Sequence, residues 1–551
     1  MTPNNTEYNK EIPEEKSQEE FLNKSRKLIL GSTGLFVLSM LAVFPVVFKN
    51  YYFDILRVKY YYYLISAGVL AVLLGGALIY IITADKRYFK GSILQGARLH
   101  WKEENGTLLA RMPYIGILAF LAASAISTFT SDYLYEAFWG NEGRFSGLFL
   151  LLIYGATFLM ISIFFKLERW YLNVFLVSTM IVSGLGILDF LGMDILHFKD
   201  KLESVQWEMF TSTIGNINTY TAFLSLSLGV SCIMYASSRK RGQTLLYFGA
   251  MMVVFLAMIT GRSDNTYLSM AAMFGFAPLY LFREKEGIRR YVVMLAGLFT
   301  SIWLVELLCQ TWPGETYRTE GIFNVLAEFD GLVYVAAGLW LLSALMYGHK
   351  HVKKDTEALA DRRIRLTWIG FLIAAAALVI FAFIDVNLWG HAERYGSIRG
   401  YLEFNDDWGT QRGWAWRQCM TFFEGFSPWK KLFGYGPDTF GILVVNEGLH
   451  HEIGGIFDTA HNEYLQYLVT IGLLGLITYL LFLISCAVYM LKKAADRPLV
   501  MSIFFAVFCY QAQAVVNLNV PISAPVMWVL LAMGIAGSRN LWKTRKEPEA
   551  G

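Results

Sequence analysis

The residues best suited to chemistry lie in one long polar interval, from Thr410 to Tyr467. This interval carries arginines, aspartates and histidines, and strongly apolar segments enclose it on both sides. In a chain this hydrophobic, a polar loop is where water, charge and a substrate can meet. We therefore expect the functional site here, with the rest of the chain holding the loop at one face of a membrane.

His461 is the candidate base in this interval. Asp458 or Thr459 can cap a helix that begins near His461, because an apolar run follows within a few residues. A helix N-terminus favours a bound anion and disfavours an imidazolium, so the histidine tends to stay neutral and able to accept a proton. A bound diphosphate would instead favour the protonated imidazolium, because its negative charge stabilises a nearby positive charge. The alternative interpretation is a structural cap or a surface residue.

Four arginines are expected on the same face as this histidine, namely Arg144, Arg262, Arg412 and Arg417. Arginine presents a rigid and always charged fork that fits phosphate oxygens bidentately, so such a group could hold a lipid diphosphate. Arg262 lies in a tight turn between two apolar runs, which leaves it little freedom. The alternative for each arginine is a pairing with a carboxylate or with a lipid headgroup.

Metal and cofactor chemistry is not indicated. The His450-His451-Glu452 segment lacks two histidines at the i, i+4 spacing of a helical metal site. The Gly434-x-Gly436 turn lacks the preceding strand and the following lysine of a phosphate loop. The five cysteines form no CxxC pattern. We expect no metal and no cofactor.

Composition identifies the scaffold as a membrane protein. The chain has 551 residues, of which 55% are hydrophobic and 17% charged, whereas soluble domains carry about 25% charged residues. Many apolar runs reach the length of roughly 18 residues that a membrane-spanning helix needs. The predicted fold is all-α, with about 14 transmembrane helices and one long extracytoplasmic loop. The predicted spans are 28–48, 62–82, 113–130, 145–165, 171–191, 217–236, 243–260, 266–282, 291–309, 331–348, 366–386, 461–490, 499–517 and 521–538.

Charge placement predicts the orientation. With the N-terminus in the cytoplasm, 33 of the 47 lysines and arginines lie in inner segments and 14 in outer ones. This is the bias that the positive-inside rule describes. Both termini are therefore expected inside and the loop 387–460 outside. We divide the chain into a disordered acidic tail (1–27), N-terminal helices (28–209), a central transmembrane region with the loop (210–490) and C-terminal helices with a cytoplasmic tail (491–551).

Several short motifs follow one another in a characteristic order. Gly215-Asn216-Ile217-Asn218 leads one span and Thr260-Gly261-Arg262 ends another. In the loop and beyond it come Arg412-x-x-x-Trp416, Leu432-Phe433-Gly434-Tyr435-Gly436-Pro437-Asp438-x-Phe440, His461-Asn462-x-x-Leu465-Gln466 and Gly472-x-x-Gly475. With this order, the chain resembles the O-antigen ligase and O-antigen polymerase superfamily of bacterial membrane glycosyltransferases, over roughly 210–490.

The resemblance implies a membrane glycosyltransferase fold of the GT-C-like type, and transfer of a glycan from a polyprenyl diphosphate carrier to an acceptor hydroxyl on the outer face of the cytoplasmic membrane. The acceptor would be a glycan, a lipid or a protein, and neither a nucleotide sugar nor a metal is implied. By match of motif, the family's essential histidine falls on His461 and its essential arginines on Arg262 and Arg412. Further substrate-binding candidates are Arg144, Arg417, Asn216, Asn218, Asn462 and Tyr464.

The chain departs from the family pattern in two places. The family turn often reads Ser-Arg-Gly where this chain has Gly-Arg-Ser around Arg262, and many members have about twelve spans. Ligase and polymerase are not separated by these residues, with a slight preference for the ligase. A transporter of lipid-linked glycans and a scaffolding membrane protein remain the alternatives from other classes.

Overall fold

The computed structural model describes residues 11–314, 316–353, 359–451, 457–493 and 496–539, and most of these residues are helical. In chain order the helices are α1 (Glu11–Leu38), α2 (Ile55–Tyr88), α3 (Ser92–Glu104), α4 (Leu108–Phe129), α5 (Leu134–Trp139), α6 (Leu148–Phe164), α7 (Arg169–Phe190), α8 (Ile217–Ser237), α9 (Arg241–Thr260), α10 (Asn265–Leu281), α11 (Lys285–Thr311), α12 (Gly321–Ala327), α13 (Leu332–Lys353), α14 (Arg362–Asn387), α15 (Arg399–Leu402), α16 (Trp408–Gly425), α17 (Pro428–Phe433), α18 (Phe440–Asn446), α19 (Glu463–Thr470), α20 (Gly472–Lys493), α21 (Pro498–Gln513) and α22 (Ala524–Gly537). Two short antiparallel strands, β1 (Phe210–Thr211) and β2 (Gly215–Asn216), precede α8.

Helix length and composition make this chain a multi-pass membrane protein. Each of the fourteen predicted spans overlaps a helix. Eleven helices of the described part are long and apolar enough to cross a bilayer. The helices α6, α10 and α22, at 17, 17 and 14 residues, are shorter than the roughly 20 residues that a bilayer crossing needs. The described helices therefore support eleven spans directly, against the fourteen that we predicted.

The helices differ sharply in how much of their surface other helices cover. In the most apolar stretch of α8, 89% of the residues are buried, and nearly all of α22 is buried. In α13 and α14 only 17% are buried, although both are apolar on all sides. A helix that is apolar all round is either packed in a core or faces lipid. Consequently α8, α21 and α22 form the centre of the bundle, and α13 and α14 present their apolar side chains to the bilayer.

Two predicted segments are corrected by the structure. The predicted span 461–490 is divided into α19 and α20, because Ile471 and Gly472 interrupt the helix and Gly472 has a φ of +81°. The tail 1–27 was expected to be disordered, but α1 begins at Glu11. Residues 1–10 lie outside the described residues, as do 540–551 of the C-terminal tail.

Several connections meet at one end of the bundle, which we call the loop end. They are the α4–α6 connection, the α9–α10 turn and the 388–462 loop, itself largely folded into α15 to α18. The contacts between them are long-range: Lys430 binds Asp132 at 2.5 Å, and the Tyr401 hydroxyl donates to Asp264 at 3.1 Å. The topology thus collects the predicted site segments on one side of the helices.

Candidate functional site

His461 lies just before the N-terminus of α19. The Asn462 side chain caps this helix, accepting hydrogen bonds from the Tyr464 and Leu465 backbone N–H groups at 3.0 Å each. We had predicted Asp458 or Thr459 as the cap, and this prediction was wrong, because the cap is Asn462. The His461 backbone has a φ of +48°, a left-handed conformation that is uncommon for a residue other than glycine. This turn directs the imidazole away from the helix and back toward Thr459.

The imidazole of His461 is held through one nitrogen. Its Nδ1 lies 3.1 Å from Thr459 Oγ1 and 3.3 Å from the Thr459 carbonyl oxygen. In the described part of the chain, no hydrogen bond involves Nε2. The aromatic ring of Phe457 lies beside the imidazole, with 5.3 Å between the ring centroids. Since the carbonyl oxygen can only accept, an Nδ1–H that donates to it leaves Nε2 as the proton-accepting atom.

The surroundings of His461 keep it neutral. Burial, together with the smaller effects of the positive charges of Arg412 and Arg144, lowers its pKa to about 4. A neutral imidazole is therefore the dominant form at physiological pH.

Arg412 is a buried cation whose partners are all neutral. It lies near the start of α16, is 9% exposed, and donates from Nη1 to the Gly409 carbonyl oxygen at 2.7 Å. Its Nε is buried without a hydrogen-bond partner, and no carboxylate of the described residues forms a salt bridge with it. Burial lowers the pKa of its guanidinium, an effect that Asp264 opposes. A buried positive charge without a counter-ion is a favourable place for an anion.

The backbone beneath Arg412 is strained. Gly409, Thr410 and Gln411 all have φ values between +58° and +68°, so the first turn of α16 is left-handed. Left-handed residues other than glycine cost about 1–2 kcal/mol each. The turn brings the Gly409 carbonyl within reach of the guanidinium and thereby fixes its position.

Arg144 and Asp438 join the α5–α6 connection to the loop. Arg144 makes a bidentate pair with Asp458, at 2.8 and 2.9 Å. The Asp438 carboxylate accepts hydrogen bonds from the backbone N–H groups of Asn141 and Ser146, at 2.7 and 3.1 Å. Burial raises the pKa of Asp438 to about 7, and its backbone donors only partly oppose this rise. Arg144, a predicted substrate ligand, is thus engaged with a carboxylate.

Arg262 is also engaged with carboxylates. Its guanidinium, 10% exposed, binds Glu208 at 3.0 Å and makes a second close ion pair with Glu320. It also lies 5.0 Å from the centroid of the Tyr317 ring. Glu208 comes from the α7–α8 connection and Glu320 from the α11–α12 connection, and both are more than half exposed. Arg262 is therefore paired with two exposed carboxylates, whereas Arg412 has no carboxylate partner among the described residues.

The other predicted substrate ligands have structural partners. Arg417 is half exposed and binds Asp406 at 2.6 Å. Asn216 caps α8 by accepting from the Asn218 N–H, and Tyr464 donates to the Gln511 carbonyl oxygen at 3.0 Å. The Asn218 side chain accepts from the Ser263 hydroxyl at 2.6 Å, next to Arg262. The structure thus brings the charges of Arg412 and Arg144 close to His461. It places Arg417 and Asn216 in contacts within their own segments, and it joins Tyr464 of α19 to Gln511 of α21.

The Leu432–Asp438 motif docks on the C-terminal end of α19. The Tyr435 and Gly436 N–H groups donate to the carbonyl oxygens of Val469 and Thr470, at 3.1 and 2.8 Å. These carbonyls are the orphan acceptors that every helix end leaves. A Cβ atom on Gly434 or on Gly472 would collide with the backbone of the other segment. The motif therefore fixes the position of the helix that follows His461.

A cavity opens beneath His461, and it contains residues that the sequence did not single out. Its polar lining includes Asp438, Glu463, Gln466 and Asn519. The Glu463 carboxylate is 1% exposed, although it follows His461 by only two positions. A charged residue at the start of an apolar run could have marked Glu463 as a candidate site residue. Its partner Asn519 is distant in sequence, so this contact could not be predicted.

Potential metal ligands do not converge in the described part of the chain, where no group of three or more histidine, cysteine, aspartate or glutamate side chains forms. Glu452, a member of the histidine-rich segment discussed above, lies outside the described residues. All five cysteines are free.

Comparison with known families gives one match. Residues 323–480 match the family model described as O-antigen ligase, a narrower interval than the 210–490 region of the resemblance. The matched interval contains Arg412 and His461, whereas Arg144 and Arg262 lie outside it. A search of curated proteins finds no match.

Proposed function

We propose that this chain, a member of the O-antigen ligase superfamily through residues 323–480, transfers a glycan from a polyprenyl diphosphate carrier to an acceptor hydroxyl on the outer face of the cytoplasmic membrane. Membership makes it a membrane glycan ligase or polymerase in the broad sense. The donor, the face of the membrane and the residue roles belong to the proposal. The observation that carries it is a neutral histidine within the electrostatic range of a buried arginine that has no carboxylate partner among the described residues.

His461 acts as the base in this proposal. A sugar or lipid hydroxyl ionises far above neutral pH, so it needs a proton acceptor within hydrogen-bond distance. The Nε2 atom of His461 is available for this role, because the hydrogen bonds of the ring in the described structure involve Nδ1. A histidine with a pKa near 4 is a weak base in the ground state. The negative charge of a bound diphosphate raises this pKa and so strengthens the base when substrate is present.

Arg412 is the first ligand of the diphosphate. The leaving group needs stabilisation of its growing negative charge, and fixed positive charges in a site of low dielectric constant supply it. The charge of Arg412 acts on both His461 and Asp264, the latter two residues after Arg262. Arg412 is therefore near enough to both the base and the Arg262 turn for its charge to act on each. In this proposal, a diphosphate held by Arg412 also contacts Arg262 once the glutamates of Arg262 withdraw.

The reaction is a single displacement. The acceptor oxygen forms a bond to the anomeric carbon, and the bond from that carbon to the diphosphate oxygen breaks. The electron pair of the broken bond stays on the diphosphate, while the hydroxyl proton moves to Nε2 of His461. Direct displacement inverts the configuration at the anomeric carbon, so the linkage in the product is expected to be opposite to that in the donor.

The test is complementation of a gene deletion in the host. Wild type, His461→Ala and His451→Ala are compared by extracting polyprenyl-linked glycans. We expect the strain that carries His461→Ala to accumulate the lipid-linked donor. The amount of this variant protein in the membrane should equal that of the wild type. His451, an exposed histidine of the same loop, is the matched control and is expected to complement fully. Full complementation by His461→Ala would contradict the catalytic role.

The accumulated species distinguishes the two activities of the superfamily. Long lipid-linked chains in the deletion strain indicate a ligase, and single lipid-linked repeats indicate a polymerase.

A further inference from the structure

Glu463 is a buried carboxylate whose hydrogen bonding is half complete. Its Oε1 accepts hydrogen bonds from the Tyr479 hydroxyl at 2.5 Å and from the Asn519 side chain at 2.8 Å. Its Oε2 is buried and has no hydrogen-bond partner among the described residues. An unsatisfied buried carboxylate oxygen costs several kcal/mol if the group is charged. This cost indicates a functional role for Glu463.

The groups that face Glu463 are neutral at physiological pH. They are hydroxyls and an amide from four helices and one connection: Tyr154 of α6, Tyr464 and Tyr467 of α19, Tyr479 of α20, Tyr510 of α21 and Asn519 of the α21–α22 connection. No lysine or arginine of the described residues forms a salt bridge with Glu463. A carboxylate in such surroundings gains a proton readily, because neutralisation removes the cost of burying its charge.

Glu463 and His461 line the same cavity. Its internal space is about 30 Å³, and one water needs about 10–15 Å³ on this measure, so there is room for about two waters. Asp438 and Gln466 add polar groups that can hold such waters by hydrogen bonds. The cavity therefore offers a short path for a proton from the imidazole into the protein.

We propose that Glu463 accepts, through water in this cavity, the proton that His461 removes from the acceptor hydroxyl. The inference rests on the proposed function. The proton leaves the imidazolium nitrogen for a water molecule, a proton of that water moves to Glu463 Oε2, and His461 returns to its neutral form. The carboxylic acid later releases the proton to bulk water by the same path, so no other reactant is needed.

The direction of transfer follows from the electrostatics. An imidazolium at position 461 is unfavourable, because burial and the charges of Arg412 and Arg144 oppose it. A protonated Glu463 has lost the charge that is costly to bury. Both effects move the proton from His461 to Glu463 once the leaving diphosphate has departed.

The experiment uses right-side-out membrane vesicles from the deletion strain carrying each variant, with lipid-linked glycan purified from that strain as the donor. Glu463→Gln keeps an oxygen that can accept from Tyr479 and Asn519 but cannot take up a proton. We expect it to lower kcat about tenfold or more, with the donor KM within about twofold, since proton transfer contributes to kcat and not to binding. Small buffer bases added at increasing concentration should restore its rate and leave the wild-type rate unchanged.

Tyr479→Phe is the matched control, because it removes one hydrogen bond to Glu463 and leaves the acid in place. Its rate should be independent of buffer concentration. If Glu463→Gln does not accumulate in the membrane, Glu463→Asp is compared with Glu463→Asn, which have the same size and differ in the ability to take up a proton. Equal kcat in these two, or a Glu463→Gln variant with wild-type kcat, would overturn the relay.

The controls separate this inference from the proposed function. An active wild type with inactive His461→Ala and fully active Glu463→Gln overturns the relay alone. A wild type that transfers no glycan, or a fully active His461→Ala, overturns both.

Discussion

Arg262 and Arg412 lie at the same end of the bundle in opposite electrostatic surroundings. Arg262 is bound by Glu208 and Glu320, which are both exposed. Arg412 is as deeply buried, and its contacts are a carbonyl and a hydroxyl in the described part of the chain. Removal of one partner from a buried ion pair leaves an uncompensated charge. Arg412 already has such a charge, whereas Arg262 acquires one only when its glutamates leave.

This difference indicates an order of binding. An anion can approach Arg412 without displacing a carboxylate, but it must compete with two carboxylates at Arg262. We therefore propose that an anion binds first at Arg412, and that Arg262 is recruited after the connections that carry Glu208 and Glu320 move. Burial lowers the pKa of the Arg262 guanidinium, but its two glutamates more than offset this and raise the pKa.

Arg412→Gln should produce the largest loss. Without this charge the diphosphate has no resident cation, and we expect transfer to fall by about 100-fold or more, the range found for the loss of one transition-state donor. Arg417→Gln, on the same helix but exposed and paired with Asp406, is the control and should stay within about twofold. The measurement is donor consumption in membrane vesicles. Similar losses in both variants would mean that the loop needs positive charge in general.

The Arg262 cluster should respond in both directions. Arg262→Gln is expected to lower transfer about tenfold, corresponding to 1.4 kcal/mol of transition-state stabilisation. The double variant Glu208→Gln/Glu320→Gln frees the guanidinium, so the donor KM should fall by about twofold to fivefold, within the modest energies of exposed ion pairs. An unchanged or raised KM in the double variant would show that the glutamates position Arg262 for the substrate and do not compete with it.

The pH dependence distinguishes the arginines near His461 from Arg262. The base must be unprotonated, and its pKa is lowered to about 4, so kcat/KM of the free enzyme should remain high as pH falls from 7 to about 5. Arg144 contributes to that lowering, so Arg144→Gln should move the acidic limb to higher pH. Arg262→Gln should leave the limb unmoved. A wild-type limb near 6.5, the ordinary value for histidine, would contradict the buried and neutral base.

The smallest effect concerns the turn that carries Arg262. The Ser263 hydroxyl donates to the Asn218 side chain at 2.6 Å, and Ser263→Ala removes this bond. The expected cost is about 1 kcal/mol of stability, read as a lower unfolding temperature in detergent, with transfer nearly unchanged. A loss of transfer as large as that of Arg262→Gln would mean that this hydrogen bond, and not the pair of glutamates, sets the position of the guanidinium.

The fold was largely predictable from the sequence, because apolar runs and their charged flanks are local signals. A helix start near His461 was predicted by the same local reasoning, although the helix begins at Glu463 with Asn462 as its cap and not at His461. The partners of the site residues were not predictable. Glu208 and Glu320 reach Arg262 from distant segments, and Asn519 reaches Glu463 from beyond two further helices, α20 and α21. Pairings of this kind depend on how helices pack, and a single sequence carries no periodicity that specifies them.

Backbone conformation was the other missing element. Positive φ values at Thr410, Gln411 and His461 are unfavourable for these residue types, so the sequence gives no reason to expect them. The surrounding contacts impose them, and they determine where the guanidinium and the imidazole point. Such local strain is commonly found at functional sites. Because of this strain, the sequence predicted which residue types form the site but not how their side chains are oriented.

The contact between Gly434 and Gly472 limits how this chain can change over time. Each glycine has a positive φ, and each faces the backbone of the other's segment. A side chain at one position cannot be accommodated by shrinking the other, since glycine is already the smallest residue. Replacement of one glycine at a time is therefore unfavourable at both positions. We expect descendants of this chain to retain both glycines, or to replace the whole turn by an insertion or deletion that alters both segments together.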